Sequence, residues 1–342
     1  MRYAHLSTAK SSFARAAFVL VSSVATVAAL TTDNVSQQLD VTAGGKLIVD
    51  VEFGNVEVSA GAENKADVQA ERKIDSDDEA REKEYVAAAP ITITHEGNVV
   101  TVRARRQDKR TNSFSWHHVN MDARYRIQVP KGFDAQLRTG GGNITASDLI
   151  GTMKADTGGG KLKFRQLRGT LNGKTSGGSV EVHGCEGPLT VSTSGGGIDA
   201  AGGSGKIAAH TSGGSISVQD FSGEATVETS GGKLTLVNIN GPITGRTAGG
   251  SVRATLAAPV PGDVQLETSA GSIDIIVPEN AAFDIDAEAS AGRVISDLPF
   301  AGEESDGESL HGRINGGGKS LQLRSGAGSI TIRAAGKLTS QL

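Results

Sequence analysis

From residue 139 onward, apolar and polar side chains alternate in short runs, and the runs return on a fixed period. Counted from a threonine taken as position zero, apolar residues recur at positions 5 and 7: Leu162 and Phe164, Val180 and Val182, Ile216 and Val218, Leu234 and Leu236. They recur again at positions 14 and 16, as in Leu189 and Val191 or Ile207 and Ala209. A period of two puts alternate side chains on one face of a strand, so each repeat predicts two short β-strands with one face inward. The threonine that opens the phrase T-x-G-G, or a close variant, stands at 139, 157, 175, 193, 211, 229, 247 and 268, with Ala289 and Ser325 in the same place further on. Six successive steps are 18 residues; the later ones are 21, 21 and 36. Self-similarity at a fixed period marks a solenoid, and the longer steps read as insertions between coils.

The threonine continues the inward alternation of the second strand, which predicts an interior ladder from Thr139 through Thr268. The glycines after it predict a corner with positive φ and close approach to the next coil. Position 10 (Leu149, Leu167, Cys185, Phe221, Ile239) adds an inward column at the opposite turn. Position 17 (Arg138, Asp156, Lys174, Ser192, His210, Glu228, Arg246, Glu267) reads as a solvated ladder that avoids stacking like charges. A hexapeptide prism would need an aliphatic residue every six positions, which this pattern lacks. The preference for right-handed crossovers then favours a right-handed coil.

The same phrase at Thr42, followed by Leu47, Val49, Val56 and Val58 at positions 5, 7, 14 and 16, reads as a first coil. Next comes "SDDEAREKE", where Ser76 and Glu79 form a capping-box signal for a short helix near 76–85. Strand patterns follow at "ITITH", "VVTVRAR" and "RYRIQV". The expected organisation is a signal peptide at 1–29, a β-rich part with the helix at 30–137, a single-chain parallel β-solenoid at 138–336, and a tail at 337–342.

Composition sharpens the picture. Residues 1–29 carry Arg2, Lys10 and Arg15, no acid, and the run "AAFVLVSSVATVAAL" ending in small residues, which fits a signal peptide cleaved before Leu30. That run is short of the roughly 20 residues needed to span a bilayer, so no transmembrane segment is expected after cleavage. Beyond it stand 31 basic and 38 acidic residues, a formal charge of −7 that does not suit nucleic acid. One cysteine, Cys185, excludes an internal disulfide and sits in a core column. Forty-six glycines and few aromatics fit stacked small residues better than a conventional sandwich.

The stretches "LIVDVEFGNVEVSAG", the acidic helix-like run, and "ARYRIQVPKGFDAQLRTGGGNITASDLIG" leading into the "TSGGSI" phrases together resemble a bacterial family of candidate adhesins, unknown-function domains related to auto-transporter adhesin heads. The resemblance spans residues 39–336 and rests on order and period. It implies a β-solenoid outside the membrane, without established catalytic residues. The connection "RRQDKRTNSFSWHHVNMD" departs from the family's pattern.

That connection and the strand before it supply a candidate anionic-ligand patch: Arg103, Arg105, Arg106, Lys109, Arg110 and Trp116. His117 and His118 are adjacent on the chain and would point to opposite faces, so no metal site is expected. Glu181 and Asp199, both outward at position 6 of successive coils, are the best carboxylate pair for glycoside hydrolysis. "GGSGKI" lacks Ser or Thr after Lys206, and "GRINGGGKS" has Arg313 where a phosphate loop needs glycine; neither precedes a helix. Position 6 lacks the recurring Asp of a calcium repeat. No cofactor is expected. The sequence points to a non-catalytic, exported module of the periplasm, cell surface or medium, adhesin-like, binding an envelope glycan or another surface protein. The alternatives are a polysaccharide-active enzyme on a coil face, or a structural or signalling envelope domain that binds another protein.

Overall fold

The computed structural model describes residues 30–76, 79–106, 120–305 and 307–335; the expected signal peptide and the tail lie outside them. Each coil contributes two strands to two parallel stacks, one ending at the threonine and one starting five residues later. In the first stack Met153–Thr157 pairs with Asp134–Thr139 on one side and Leu171–Thr175 on the other. In the second, Leu162–Arg165 lies between Ile144–Ser147 and the start of Val180–Thr193. Val180–Thr193 and Ile198–Thr211 run through the intervening turn and join the stacks. Their inward columns merge into one core, with Thr139 through Thr268 buried beside the aliphatic residues as the pattern predicts.

The threonine is used because one hydroxyl serves two corners. From Thr157 to Thr268, and again at Ser325, the hydroxyl donates to a glycine carbonyl of the adjoining coil at 2.7–2.9 Å. It also accepts the N–H of the glycine three residues ahead at 3.0–3.3 Å. Two backbone groups that would otherwise be buried without partners are satisfied at every step.

The corner glycines correct one expectation. None from Gly142 to Gly271 has φ in the left-handed region. The close approach is real and tightest at position 3, where a Cβ would meet the neighbouring glycine carbonyl oxygen at 1.9–2.0 Å; the position-1 glycines Gly140 and Gly158 are also crowded, at 2.3 Å. At position 2 nothing lies nearer than 3.6 Å to a Cβ in any coil from Thr139 to Thr247, and alanine stands there at 270, 291 and 327. Positive φ belongs instead to the opposite turn, at position 9 (Asp148, Gln166, Gly184, Gly202, Asp220, Asn238) and position 12 (Gly151 to Gly223).

At the ends, spatial order departs from chain order. The first coil, Lys46–Val51 with Asn55–Ala60, lies directly on the Thr139 coil. Its outer side is covered by a later coil, Val99–Ala104 with Asn120–Val129. At the other end the last coil, Lys319–Ser325 with Ile330–Ala334, inserts between the Thr268 coil and the earlier Phe283–Ala289 with Val294–Ser296. Both outer coils carry antiparallel additions. Thr92–Glu96, Lys65–Asp75 and then Leu30–Asp40 extend the N-terminal end; Ser309–Ile314 and Phe300–Ser305 extend the other.

This arrangement moves the first corner. Val51, and not Thr42, is in register with Thr139, and Gly54 stands where Gly142 stands in the next coil. Leu47 and Val49 therefore occupy positions 14 and 16, half a coil from the expected register, although they are inward as expected. The helix is Glu79–Ala88. The carboxylate that takes the Ser76 N–H (2.6 Å) and hydroxyl (2.9 Å) is that of Glu82, not the expected Glu79. Glu82 is buried, and its other oxygen accepts the Thr31 hydroxyl at 2.6 Å, tying the helix to the first strand.

Candidate functional site

The candidate patch divides. Arg103 is exposed on Val99–Ala104, facing the register position of Asp50. Arg105 and Arg106 follow at the corner and turn onto the first coil: Arg105 Nη2 lies 2.9 Å from Asp50 Oδ1, and Arg106 Nη2 donates to Glu52 Oε1 at 2.6 Å. Burial pushes the Glu52 carboxyl up, but the bonds and charge of Arg106 outweigh it and hold the group below its usual range. The Arg106 guanidinium sits 5.6 Å from the Tyr85 ring centroid, and the Tyr85 hydroxyl donates to Glu52 at 3.3 Å. On the same ring, at 5.7 Å, lies buried Arg72, which donates to Asp33 (2.6 Å) and to the Ala89 carbonyl (2.7 Å). Two of the expected ligand-binding cations thus anchor the helix and the outer coil to the first coil. Lys109, Arg110, Trp116, His117 and His118 lie outside the described residues.

Glu181 and Asp199 are register neighbours on adjoining strands. Lys161 Nζ lies 2.8 Å and Lys163 Nζ 3.0 Å from the Glu181 oxygens. Their hydrogen bonds and charge pull its pKa down to about 2. A glycosidase acid needs its proton near neutral pH, and this carboxylate is held in the opposite state. Cys185 is fully buried in its core column and burial raises its thiol, the reverse of a reactive cysteine. Among the described residues there is no group of three side chains suited to holding a metal ion, and no helix is long and apolar enough to cross a membrane.

The outward face of the first stack carries the most ordered chemistry. In spatial order its position-17 column reads Arg103, Asp50, Arg138, Asp156, Lys174, Ser192, His210, Glu228, Arg246, Glu267, Arg324, Glu288, each in register with the next. Several steps close as ion pairs: Arg138 with Asp156 at 3.3 Å, Arg246 with Glu228 at 3.7 Å and with Glu267 at 3.3 Å, Arg324 with Glu288 at 3.7 Å. The alternation is kept because the end coils are inserted out of chain order. In chain order Glu267 would stack on Glu288, and Arg103 on Arg138. That conflict was readable in the sequence and marks the insertion.

The Toastrack DUF4097 family model matches residues 45–333. The chain belongs to this family. Membership agrees with the resemblance seen in the "LIVDVEFGN" and "TSGGSI" phrases. Among solved structures, this Toastrack chain is similar to a candidate adhesin from Parabacteroides merdae, at 12% identity over 87% of this chain and 95% of that one, TM-score 0.42. It is also similar to a candidate adhesin from Bacteroides fragilis (12% identity, 89% and 97% covered, TM-score 0.31) and to a candidate lipid-binding protein from Parabacteroides distasonis (12%, 87% and 96%, TM-score 0.25). A comparison with curated proteins returned no match.

Proposed function

We propose that this Toastrack protein is a non-catalytic module, exported to the cell envelope or surface, that holds a ligand along the outer faces of its coil in the manner of an adhesin. The observation that carries the reading is the unbroken register of outward side chains, which repeats at the strand spacing of about 4.8 Å across twelve coils and suits a partner that itself repeats. The basic and then apolar opening segment supports export. The ionised state of Glu181 argues against the polysaccharide-active alternative. A glycan array probed with residues 30–342 tests the proposal. Binding without turnover, unchanged by Glu181→Gln, is expected. Turnover of a bound glycan that Glu181→Gln abolishes would replace it with the enzyme reading.

A further inference from the structure

The alternating column has one interruption. Lys174, Ser192 and His210 occupy three successive coils, and the middle position, where the rule calls for an acid, holds a short neutral hydroxyl. Lys174 is exposed, the His210 side chain is 58% exposed, and Ser192 is half-buried between them, so the long side chains border a notch. The two flanking Cα atoms stand about 10 Å apart, twice the strand spacing. The adjoining outward column offers no charge either: Asn172, Thr190 and Ala208 are the register neighbours there. Of the bordering carboxylates, Asp156 is paired away from the notch with Arg138 at 3.3 Å, and Glu228 is shared between Arg246 at 3.7 Å and His210 at 3.8 Å.

We propose that the notch over Ser192 is a seat for an anionic group of an acidic polysaccharide. The sulfate, phosphate or carboxylate would accept from the Ser192 hydroxyl and lie between Lys174 and His210, supplying the charge that the column omits. The inference rests on reading the chain as a binding module and names the chemistry of its partner. A polymer fits better than a lone ion because the seat is exposed, where a single ion pair is screened by water and holds little by itself. Further contacts along the same face are then needed to hold it.

Titration calorimetry with heparin oligosaccharides and with polygalacturonate, using dextran as the uncharged control, tests this. Wild type should bind an acidic polymer, more weakly as salt rises. Lys174→Gln should lower affinity about two- to fivefold, Ser192→Asp, which adds a like charge, at least as much, and Ser217→Asp on the other stack should leave it unchanged. Without ligand, Ser192→Asp should raise the melting midpoint by about 1–3 °C, because it completes the column. Equal binding by wild type and Ser192→Asp would overturn the seat and leave the module reading intact, as would binding of dextran alone or of phosphatidylglycerol vesicles alone. A fall in melting midpoint for Ser192→Asp would overturn it independently of any ligand. Binding to nothing here or on the array would remove both readings.

Discussion

Between Thr157 and Thr247 every coil rests on the coil before it in the chain, and a threonine hydroxyl bridges the two corners. At the ends the neighbour in space is not the neighbour in sequence, and the residues at position zero in the outer parts, Val51 and Ala289, have no hydroxyl. The two facts are connected. Val51 is in register with Ala104, and the next strand of that coil begins only at Asn120 instead of five residues on, as it does after a threonine. The coil beside Thr268 must satisfy the Gly271 carbonyl; Ser325 does so at 2.8 Å, and Ala289 could not. A repeat can therefore specify which of its copies become neighbours through a single hydroxyl and a single charge. The largest test of this contrast removes whole coils. Deleting Thr193–His210 should bring Val180 against Ile216 and Leu189 against Ala225, leaving a shorter, somewhat less stable fold. Truncation before Lys319 should cost far more, because Ala289 and Glu288 would then meet Gly271 and Glu267. Thermal melts and small-angle scattering separate the two, and equal losses would break the contrast.

Next in size is the corner. Gly214→Ala places a Cβ 1.9 Å from the Gly196 carbonyl oxygen and should cost more than about 3 kcal/mol, whereas Gly213→Ala, 3.7 Å from its nearest neighbour, should stay within about 0.5 kcal/mol. Chemical denaturation of both variants measures this. Thr211→Val keeps the shape but leaves the Gly196 carbonyl and the Gly214 N–H without partners, for a loss of about 1–3 kcal/mol. The converse change, Val51→Thr, should also destabilise, by about 1 kcal/mol, since it puts a hydroxyl at a fully buried apolar position. A stabilised Val51→Thr would show that the first corner is ordinary.

Smaller effects are expected on the surface. Arg246→Glu and Arg324→Glu should each cost about 1 kcal/mol, and more at low salt, since each puts an acid between two acids. Under sequential stacking Arg324 would have an acid on one side only, so a clearly milder effect there would argue against the insertion. The smallest effect concerns pH. Folding lowers the Glu181 pKa from 4.5 to about 2, so its contribution is complete above about pH 4.5 and lost as pH falls toward 2. Glu181→Gln should flatten that part of the stability profile, which melts at pH 7, 4 and 3 would record.

Much of this was readable beforehand. Period, strand alternation, the buried threonines and the core place of Cys185 follow from side-chain spacing, because a solenoid makes each coil face the same surroundings as the last. The sign of φ was not readable: a glycine kept for want of space and a glycine kept for its backbone angle look alike in sequence. Only the alanines at 270, 291 and 327 show which glycine of the pair lacks room. The fate of Arg105 and Arg106 was hidden for another reason. Their partners Asp50 and Glu52 lie some 54 residues earlier and become neighbours only through the inserted first coil.

That insertion bears on how the molecule is made. Residues 283–314 leave the ribosome before the coil they finally cover, so the chain cannot close like a zipper run from one end. The slot beside the Thr268 coil stays open until the last strand, Ile330–Ala334, has been synthesised. A prematurely terminated chain would therefore either cover Val264–Thr268 and Ile273–Val277 with the mismatched Ala289 coil or leave their hydrogen-bonding edges bare, the kind of surface that invites aggregation. The final coil acts as the keystone, and its arrival distinguishes a finished molecule from a fragment.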